Sequence, residues 1–322
     1  MMRYDVVALG EILIDFAQEK VDESGYPTMA AHPGGAPANF LAAAKARGLD
    51  TAIIGKVGND AFGKLLVNTL QEAGIGTENV LIDDSVFTTL AFVTFSGGDR
   101  SFSFARKPGA DTCVKASEVD LSLIDGCRDF HFGTLSLTDE PAADATKKAV
   151  DYAKKAGKLI SFDPNLREPL WKDLSDAKDA MLYGLSVADV VKISDNEVEF
   201  LFGVNPEEGA DLLLERYPNI QLAFVTCGAE GCVYQNRNAK GRVPVLPGVT
   251  ATDTTGAGDI FGGTALAEAL KTEKAPRDLT DEELKAIVRT ATAAAGLSTM
   301  RPGGISSIPS LSEVTDALHC FS

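Results

Sequence analysis

The sequence lacks several features that mark whole classes of protein. No apolar run approaches the ~20 residues that a membrane helix needs, so the chain is not expected to span a bilayer. Its opening residues lead directly into a short apolar run and do not resemble a signal peptide. The five cysteines include no C-x-x-C pair, which is typical of idle thiols in a reducing compartment. We therefore expect a cytoplasmic protein.

Basic residues are scarce relative to acidic ones. The 30 lysines and arginines stand against 46 aspartates and glutamates, giving a formal net charge of −16. Nucleic acid and acidic membrane surfaces are repelled by such a chain, so neither is expected as a partner. A small phosphate ligand is compatible with this charge, because local donors in a water-poor cleft outweigh distant charges.

Strand-like and helix-like segments alternate through most of the 322 residues. Short buried strands are predicted at residues 6–9, 52–55, 129–132, 159–162, 190–193 and 223–226. Amphipathic helices are predicted at residues 38–47, 61–73, 142–156 and 282–297. This alternation predicts an α/β fold with a mostly parallel sheet between helices, and ligands bind beyond the carboxyl ends of such strands.

Two segments interrupt this alternation. Residues 12–17 form an alternating strand, and residues 87–106 are typical of a hairpin around the Ser-Gly-Gly-Asp turn at 96–99. The return strand carries Phe102 and Phe104 on one face. We predict a small β-sheet lid over the active site, with its second face available to another subunit; the alternative is an edge extension of the main sheet. The predicted boundaries are 1–11, 34–86 and 112–322 for the core, and 12–33 and 87–111 for the lid.

The most informative segment is Asp-Thr-Thr-Gly-Ala-Gly-Asp at residues 253–259, followed by a helix of small residues at 260–271. Gly256 and Gly258 allow backbone N–H groups to converge at the positive end of that helix. Such a site suits the negative charge that spreads over the γ-phosphate during phosphoryl transfer. Asp259 is placed to accept the proton of an attacking hydroxyl. On these residues alone, a capped helix with an incidental Asp is an equal alternative.

A second glycine pair, Gly34 and Gly35, leads to Asn39 at the start of an alanine-rich helix. Close backbone approach and an amide side chain suit hydrogen bonds to sugar hydroxyls. Asp15 adds a carboxylate acceptor of the kind that binds two adjacent hydroxyls. Taken alone, the glycine pair is more simply explained as a turn before a helix.

Together the two glycine motifs resemble the paired signatures of the ribokinase-like (PfkB) sugar kinase family, over residues 5–309. Residues 10–16, 104–111, 132–137, 161–171 and 192–195 are most similar to the fructokinases of that family. The resemblance implies an α/β core with a β-lid, the substrate ATP with Mg²⁺, often activation by K⁺, and in several branches homodimers through the lid. The substrate implied is fructose; alternatives are 2-keto-3-deoxygluconate, another furanose or a nucleoside. A catalytically silent sugar-binding relative is disfavoured by the intact segment 256–259.

The resemblance also implies roles for single residues. Asp259 matches the catalytic base, and Gly256, Ala257 and Gly258 match the anion hole. Sugar-contacting positions are matched by Asp15, Gly34, Gly35, Asn39 and Arg106. Positions around ATP and its phosphates are matched by Asp163, Asn165, Arg167, Lys192, Thr226, Gly228, Gly231 and Thr292. Arg167 would neutralise phosphate charge; the alternative is an ordinary surface ion pair.

The chain departs from the family pattern at two places. The Asn-x-x-Glu metal motif falls on Ser194 and Glu197, with Ser in place of Asn, and a literal Asn196-x-x-Glu199 is the alternative register. We assign Glu197 to Mg²⁺ through water. Thr292 stands where many relatives carry an adenine-side Asn. The monovalent-cation loop of the family is resembled by Asp253, Thr255, Gly303 and Ser307.

Overall fold

The computed structural model describes residues 3–96 and 99–320. The turn glycines Gly97 and Gly98, and the side chain of Phe102, therefore lie outside what the structure describes. Among the described residues, no helix combines the length and apolar character of a bilayer-spanning segment.

The strands fall into two sheets. In chain order they are β1 (Val6–Leu9), β2 (Leu13–Val21), β3 (Pro27–Gly34), β4 (Thr51–Gly58), β5 (Gly76–Asp83), β6 (Leu90–Ser96), β7 (Asp99–Ala105), β8 (Asp129–Gly133), β9 (Leu159–Asp163), β10 (Val190–Ser194), β11 (Leu222–Thr226), β12 (Cys232–Asn236) and β13 (Lys240–Val243). The main sheet has nine strands in the order β13-β12-β11-β10-β9-β8-β1-β4-β5. From β11 to β5 all neighbouring strands pair in parallel. At the other edge β12 pairs antiparallel with β11, and β13 pairs antiparallel with β12.

Helices cover both faces of the main sheet, which explains why its central strands are continuous apolar runs. The helices are α1 (Ala36–Ala46), α2 (Ala61–Glu72), α3 (Leu121–Asp125), α4 (Ala142–Lys155), α5 (Leu174–Val187), α6 (Asp195–Phe202), α7 (Pro206–Arg216), α8 (Ala257–Lys271), α9 (Asp281–Ser298) and α10 (Leu311–Cys320). One core packs under α1, α2, α8 and α9, and the other under α4, α5 and α7. The predicted mostly parallel α/β fold is confirmed.

The second sheet is small, with four strands in the order β3-β2-β6-β7. We call it the small sheet. Its strands pair only with one another among the described residues, so the predicted alternative of an edge extension is wrong. One face contains Leu13, Asp15 and Val93, which line a cleft against the main sheet. On the other face Phe16 packs against Phe62 of α2, with ring centroids 5.4 Å apart.

The order of the main sheet reverses around β1. From β1 the chain proceeds outward through β4 and β5 on one side, and through β8 to β13 on the other. In open α/β sheets, ligands bind in the crevice at the carboxyl ends of the strands beside such a reversal. The small sheet lies over that edge, because β2 begins only four residues after β1 ends.

Candidate active site

A cleft of about 480 Å³ separates the small sheet from the carboxyl edge of the main sheet. Polar side chains on the two sides face each other across it. Its lining includes the predicted site residues Asp15, Gly35, Asn39, Asn165, Arg167, Thr255, Gly256 and Asp259. The structure thus brings together residues that are more than two hundred positions apart in sequence, as the pair Asn39 and Asp259 shows.

The glycine loop before α8 is held in close contact with its surroundings. Gly256 is the N-cap of α8 and has φ of 73°, a left-handed conformation that favours glycine. A Cβ on Gly258 would lie 2.9 Å from Nζ of Lys192. The loop therefore leaves backbone, rather than side chains, at the positive end of α8. Since α8 begins at Ala257, three residues earlier than predicted, Asp259 lies in its first turn.

Asp259 is buried, with 7% of its surface exposed, and its carboxylate borders the cleft. Its Oδ2 accepts a hydrogen bond of 2.9 Å from Nδ2 of Asn39. Burial raises the pKa of Asp259 above the ordinary aspartate value, while the hydrogen bond from Asn39 and the charges of Lys192 and Arg167 act against this rise. A carboxylate with a raised pKa, fixed in orientation, suits a proton acceptor.

Lys192 forms a buried ion pair beside the glycine loop. Its Nζ lies 3.0 Å from Oδ2 of Asp163 and 3.2 Å from Oδ1. Burial raises the pKa of Asp163 to about 7, although the charge of Lys192 opposes the rise. The same burial disfavours the charged lysine, but Asp163, Glu197 and Asp259 together raise its pKa. The ammonium group thus remains charged next to the loop.

Glu197 holds the segment that carries Asn165 and Arg167. Its Oε1 accepts from the backbone N–H of Leu166 at 2.7 Å, and its Oε2 accepts from Ser194 at 2.7 Å. Ser194 in turn is the N-cap of α6, which explains a serine at this position. No group of three or more His, Cys, Asp or Glu side chains in the described residues could hold a metal ion directly. These donors fit Mg²⁺ held mainly by phosphate oxygens and water, with Glu197 in its outer shell.

The cleft lining also includes Asp15 and, from the glycine pair before α1, Gly35. A Cβ on Gly34 would lie 2.6 Å from Oδ2 of Asp15, so the carboxylate rests directly on the backbone there. The small sheet contributes Leu13, Val93 and Phe104 to an apolar wall of the cleft, and the turn after β8 contributes Leu135. The cleft therefore offers carboxylate acceptors together with an apolar surface.

Glu11 also lines the cleft, and the sequence analysis gave it no role. Only 2% of its surface is exposed, and its Oε1 accepts a hydrogen bond of 2.8 Å from the backbone N–H of Ala36. Burial raises the pKa of Glu11 to about 7, against the hydrogen bonds that it accepts from backbone N–H groups. An acidic residue two positions beyond the end of a buried strand was the available signal.

Arg106 lies behind the cleft wall and does not line the cleft. Its Nε donates to Oδ2 of Asp111 at 2.8 Å, its Nη2 to the carbonyl of Leu135 at 2.8 Å and its Nη1 to Thr138 at 2.8 Å. It borders a separate cavity of about 290 Å³ behind Phe104. The predicted contact between Arg106 and the sugar therefore stays a prediction, because Arg106 does not line the cleft and its guanidinium is bonded to Asp111, Leu135 and Thr138.

The residues predicted to border the nucleotide lie further from the cleft. Thr226 ends β11, Gly228 and Gly231 form the turn to β12, and none of the three lines the cleft. Thr292 is buried on α9, and its hydroxyl has no hydrogen-bond partner among the described residues. Their roles toward ATP stay predictions.

Three of the predicted monovalent-cation positions, Asp253, Thr255 and Gly303, contact one another next to the start of α8. Asp253 accepts from the backbone and hydroxyl of Thr255 at 3.0 and 2.7 Å, and from the backbone N–H of Gly303 at 2.9 Å. Ser307 is fully buried and donates to the carbonyl of Gly304. The loop is compact and rich in oxygen, which fits a monovalent cation, and its occupancy stays a prediction.

Comparisons with known proteins agree along nearly the full length. The chain is 39% identical over 318 residues to fructokinase-1 from Zea mays, covering 98% of this chain and 97% of that protein. Fructokinase from Xylella fastidiosa, solved with bound ATP, has a TM-score of 0.88 at 30% identity over 98% of both chains. A double mutant of fructokinase from Vibrio cholerae O395, with fructose, ADP and a potassium ion, has a TM-score of 0.86 at 28% identity over 99% of both.

A family signature gives the same result. Residues 3–311 match the sequence model of the pfkB family carbohydrate kinases. This match extends over both glycine motifs, the cleft between them and the strands that carry it, so the predicted resemblance is confirmed. The chain is an ATP-dependent sugar kinase and belongs to the pfkB family of carbohydrate kinases.

Proposed function

We propose that this chain transfers the γ-phosphoryl group of ATP to a hydroxyl of D-fructose, giving D-fructose 6-phosphate and ADP. The observation that carries the proposal is a single cleft lined by the buried Asp259, the glycine loop at Gly256 and Asp15. The fructokinases of maize, Xylella and Vibrio support fructose as the acceptor.

The reaction is an in-line displacement. A fructose hydroxyl forms the new O–P bond, the bond between the γ-phosphorus and the bridging oxygen breaks, and ADP leaves. Asp259 takes the hydroxyl proton, and Asn39 keeps its carboxylate oriented. The N–H groups of residues 256–258 stabilise the charge on the γ-phosphate oxygens, where losing one donor typically costs about 3–4 kcal/mol.

The cation and nucleotide roles are part of the proposal. Mg²⁺, when bound, neutralises charge on the phosphates, and Glu197 would orient its water ligands. Asp163, Asn165, Arg167 and Lys192 would surround the phosphates, while Thr226, Gly228, Gly231 and Thr292 would border the nucleoside. K⁺ at Asp253, Thr255 and Ser307 is supported by the potassium ion in the Vibrio enzyme.

A neutral ketose suits the cleft better than a sugar acid. The carboxylate of 2-keto-3-deoxygluconate would need a cation, and Arg106 is already engaged by Asp111, Leu135 and Thr138. The cleft is lined by the carboxyl groups of Glu11 and Asp15 and by an apolar wall, while Arg167 in its lining is assigned to the phosphates of ATP. The ionised carboxylate of Asp15 would disfavour an anionic substrate beside it.

We also propose a cytoplasmic location and a homodimer through the small sheet. The described cysteines Cys113, Cys127, Cys227 and Cys232 are free thiols, which supports a reducing compartment. Sedimentation of the wild-type protein would test the dimer. The division of the chain into a core and a lid at the predicted boundaries is also part of this proposal.

A coupled ADP-release assay over a panel of sugars and sugar acids tests the substrate. Fructose should give the highest kcat/KM, and Asp259→Asn assayed alongside should lower turnover by about 10²–10⁴-fold with every sugar. A higher kcat/KM for 2-keto-3-deoxygluconate than for fructose would replace fructose by that alternative. A third or more of the wild-type activity remaining in Asp259→Asn would contradict the role of Asp259 as the base.

A further inference from the structure

Helix α1, which carries Asn39 into the cleft, begins without a capping side chain of its own. Its N-cap residue is Gly35, and Pro37 in its first turn has no N–H group. The exposed donor at the helix start, the N–H of Ala36, is bonded instead by Glu11 at 2.8 Å. Glu11 stands 25 residues earlier, two residues beyond the end of β1. The cap of this helix is thus supplied from another element of the fold.

Glu11 and the helix start are also tightly packed through their backbones. Gly35 has φ of 112°, and a Cβ there would lie 2.4 Å from the carbonyl oxygen of Glu11. A Cβ on Gly10 would lie 2.6 Å from the ring of Pro37. Residues 10–11 and 35–37 therefore fit in one arrangement only.

One helical turn connects this contact to the proposed base. The backbone N–H of Asn39 donates to the carbonyl of Gly35 at 2.9 Å. The side-chain amide of Asn39 donates to Asp259 at 2.9 Å. A displacement of the α1 start would therefore move Asn39 relative to the Asp259 carboxylate.

We propose that Glu11 is a positioning residue for phosphoryl transfer: its carboxyl group caps α1 and so keeps Asn39 in register with Asp259. The inference rests on the proposed role of Asp259. Two other roles for Glu11 make different predictions. As a cleft residue it could bind sugar hydroxyls itself, and as a neighbour of Arg106 it could act only through its charge.

Two conservative variants separate these roles. Glu11→Gln keeps the length and one acceptor oxygen for Ala36 but removes the charge. Glu11→Asp keeps the charge but is one methylene too short to reach Ala36 from the same backbone. We expect kcat of Glu11→Gln within about threefold of wild type, and kcat of Glu11→Asp lowered by about 10- to 100-fold, because a displacement of ~1 Å at a catalytic group costs about 10²-fold. The KM for ATP should change little in both.

If kcat falls further in Glu11→Gln than in Glu11→Asp, the proposal is overturned in favour of a charge effect. A rise in the fructose KM in both variants, with kcat preserved, would overturn it in favour of direct sugar binding. Asp173→Ala is the matched control, because Asp173 caps α5 through the N–H of Ser175 at 2.8 Å, away from the cleft. It should lower the unfolding midpoint and leave kcat unchanged. A loss of kcat there equal to that of Glu11→Asp would mean that any lost helix cap has this effect.

Failure of the proposed function would be recognised separately. If wild-type protein phosphorylates another sugar, the variants are compared with that sugar, since the inference concerns turnover. If it phosphorylates none, backbone hydrogen exchange of residues 36–41 still tests the cap. Exchange there should be faster in Glu11→Asp than in Glu11→Gln and in Asp173→Ala. Equal exchange in all three would overturn the inference.

Discussion

At the residue scale, the proposed site contains three carboxyl groups whose pKa values are set by burial. Asp259, Asp163 and Glu11 are almost fully buried around one cleft, and burial raises the pKa of each. Their partners differ: an amide for Asp259, an ammonium group for Asp163 and a backbone N–H for Glu11. The three side chains are therefore suited to different tasks despite similar chemistry.

Replacing Asp259 by Asn should lower turnover by about 10²–10⁴-fold, because a positioned general base typically contributes that much. The glycine loop stays in place, so binding of ATP and fructose should be retained. Steady-state kinetics and calorimetric titration measure the two effects. A variant with a third of wild-type turnover would refute the assignment of the base.

The raised pKa of Glu11 has a consequence for stability. Its value is about 7 in the folded chain against 4.5 for an unperturbed glutamate. Between these values the folded chain keeps a proton that the unfolded chain has lost, so this group's contribution to the unfolding free energy falls as pH rises. Denaturant titrations at several pH values should show a shallower decline from pH 5 to 8 in Glu11→Gln than in wild type. If the unfolding free energy falls with pH equally in both proteins, Glu11 does not titrate in this range. Asp163 is present in both proteins, so its titration contributes equally to the two slopes.

At the element scale, the loop before α8 works by close approach. Gly258→Ala would place a Cβ 2.9 Å from Nζ of Lys192, which Asp163 holds in place. Turnover should fall while the KM for fructose changes little, since the crowded groups matter most in the transition state. Gly296→Ala in α9 is the control, because the nearest atom to its Cβ would be at an ordinary 3.6 Å. An effect confined to the fructose KM would instead locate this loop at the sugar.

Elements that depend on interactions between residues close in sequence were predicted better than those that depend on contacts between distant residues. The predicted helices agree with α1, α2, α4 and α9 to within two residues at each end, because their apolar periodicity is local. The strand β3 was not predicted by itself, since Pro27 and Pro33 interrupt any regular alternation. Motifs that carry their own backbone geometry, such as residues 253–259, were informative from sequence. Glu11 was missed because its role depends on Ala36, a contact that only packing creates.

At the scale of the whole molecule, the buried pair of Arg106 and Asp111 joins the end of β7 to the core. Both side chains are 2% exposed. Arg106→Met should lower the free energy of unfolding by about 3–5 kcal/mol, because Asp111 would be left buried and unpaired. Arg106→Met/Asp111→Leu should recover most of it. The exposed pair of Lys148 and Asp144 provides the control, with an expected change of about 0–1 kcal/mol for Lys148→Ala. A small loss in Arg106→Met would mean that water reaches Asp111.

The small sheet is assembled from two distant stretches of chain. Its central pair, β2 and β6, runs parallel, with Ile14 opposite Leu90 and Phe16 opposite Phe92. A chimera between relatives therefore cannot exchange this sheet as one contiguous segment. A chimera that takes only residues 87–111 from another kinase would set a foreign β6 against the native β2. Grafting both stretches together is the recombination that preserves the interdigitated side chains, and the same constraint ties their substitutions to one another during divergence.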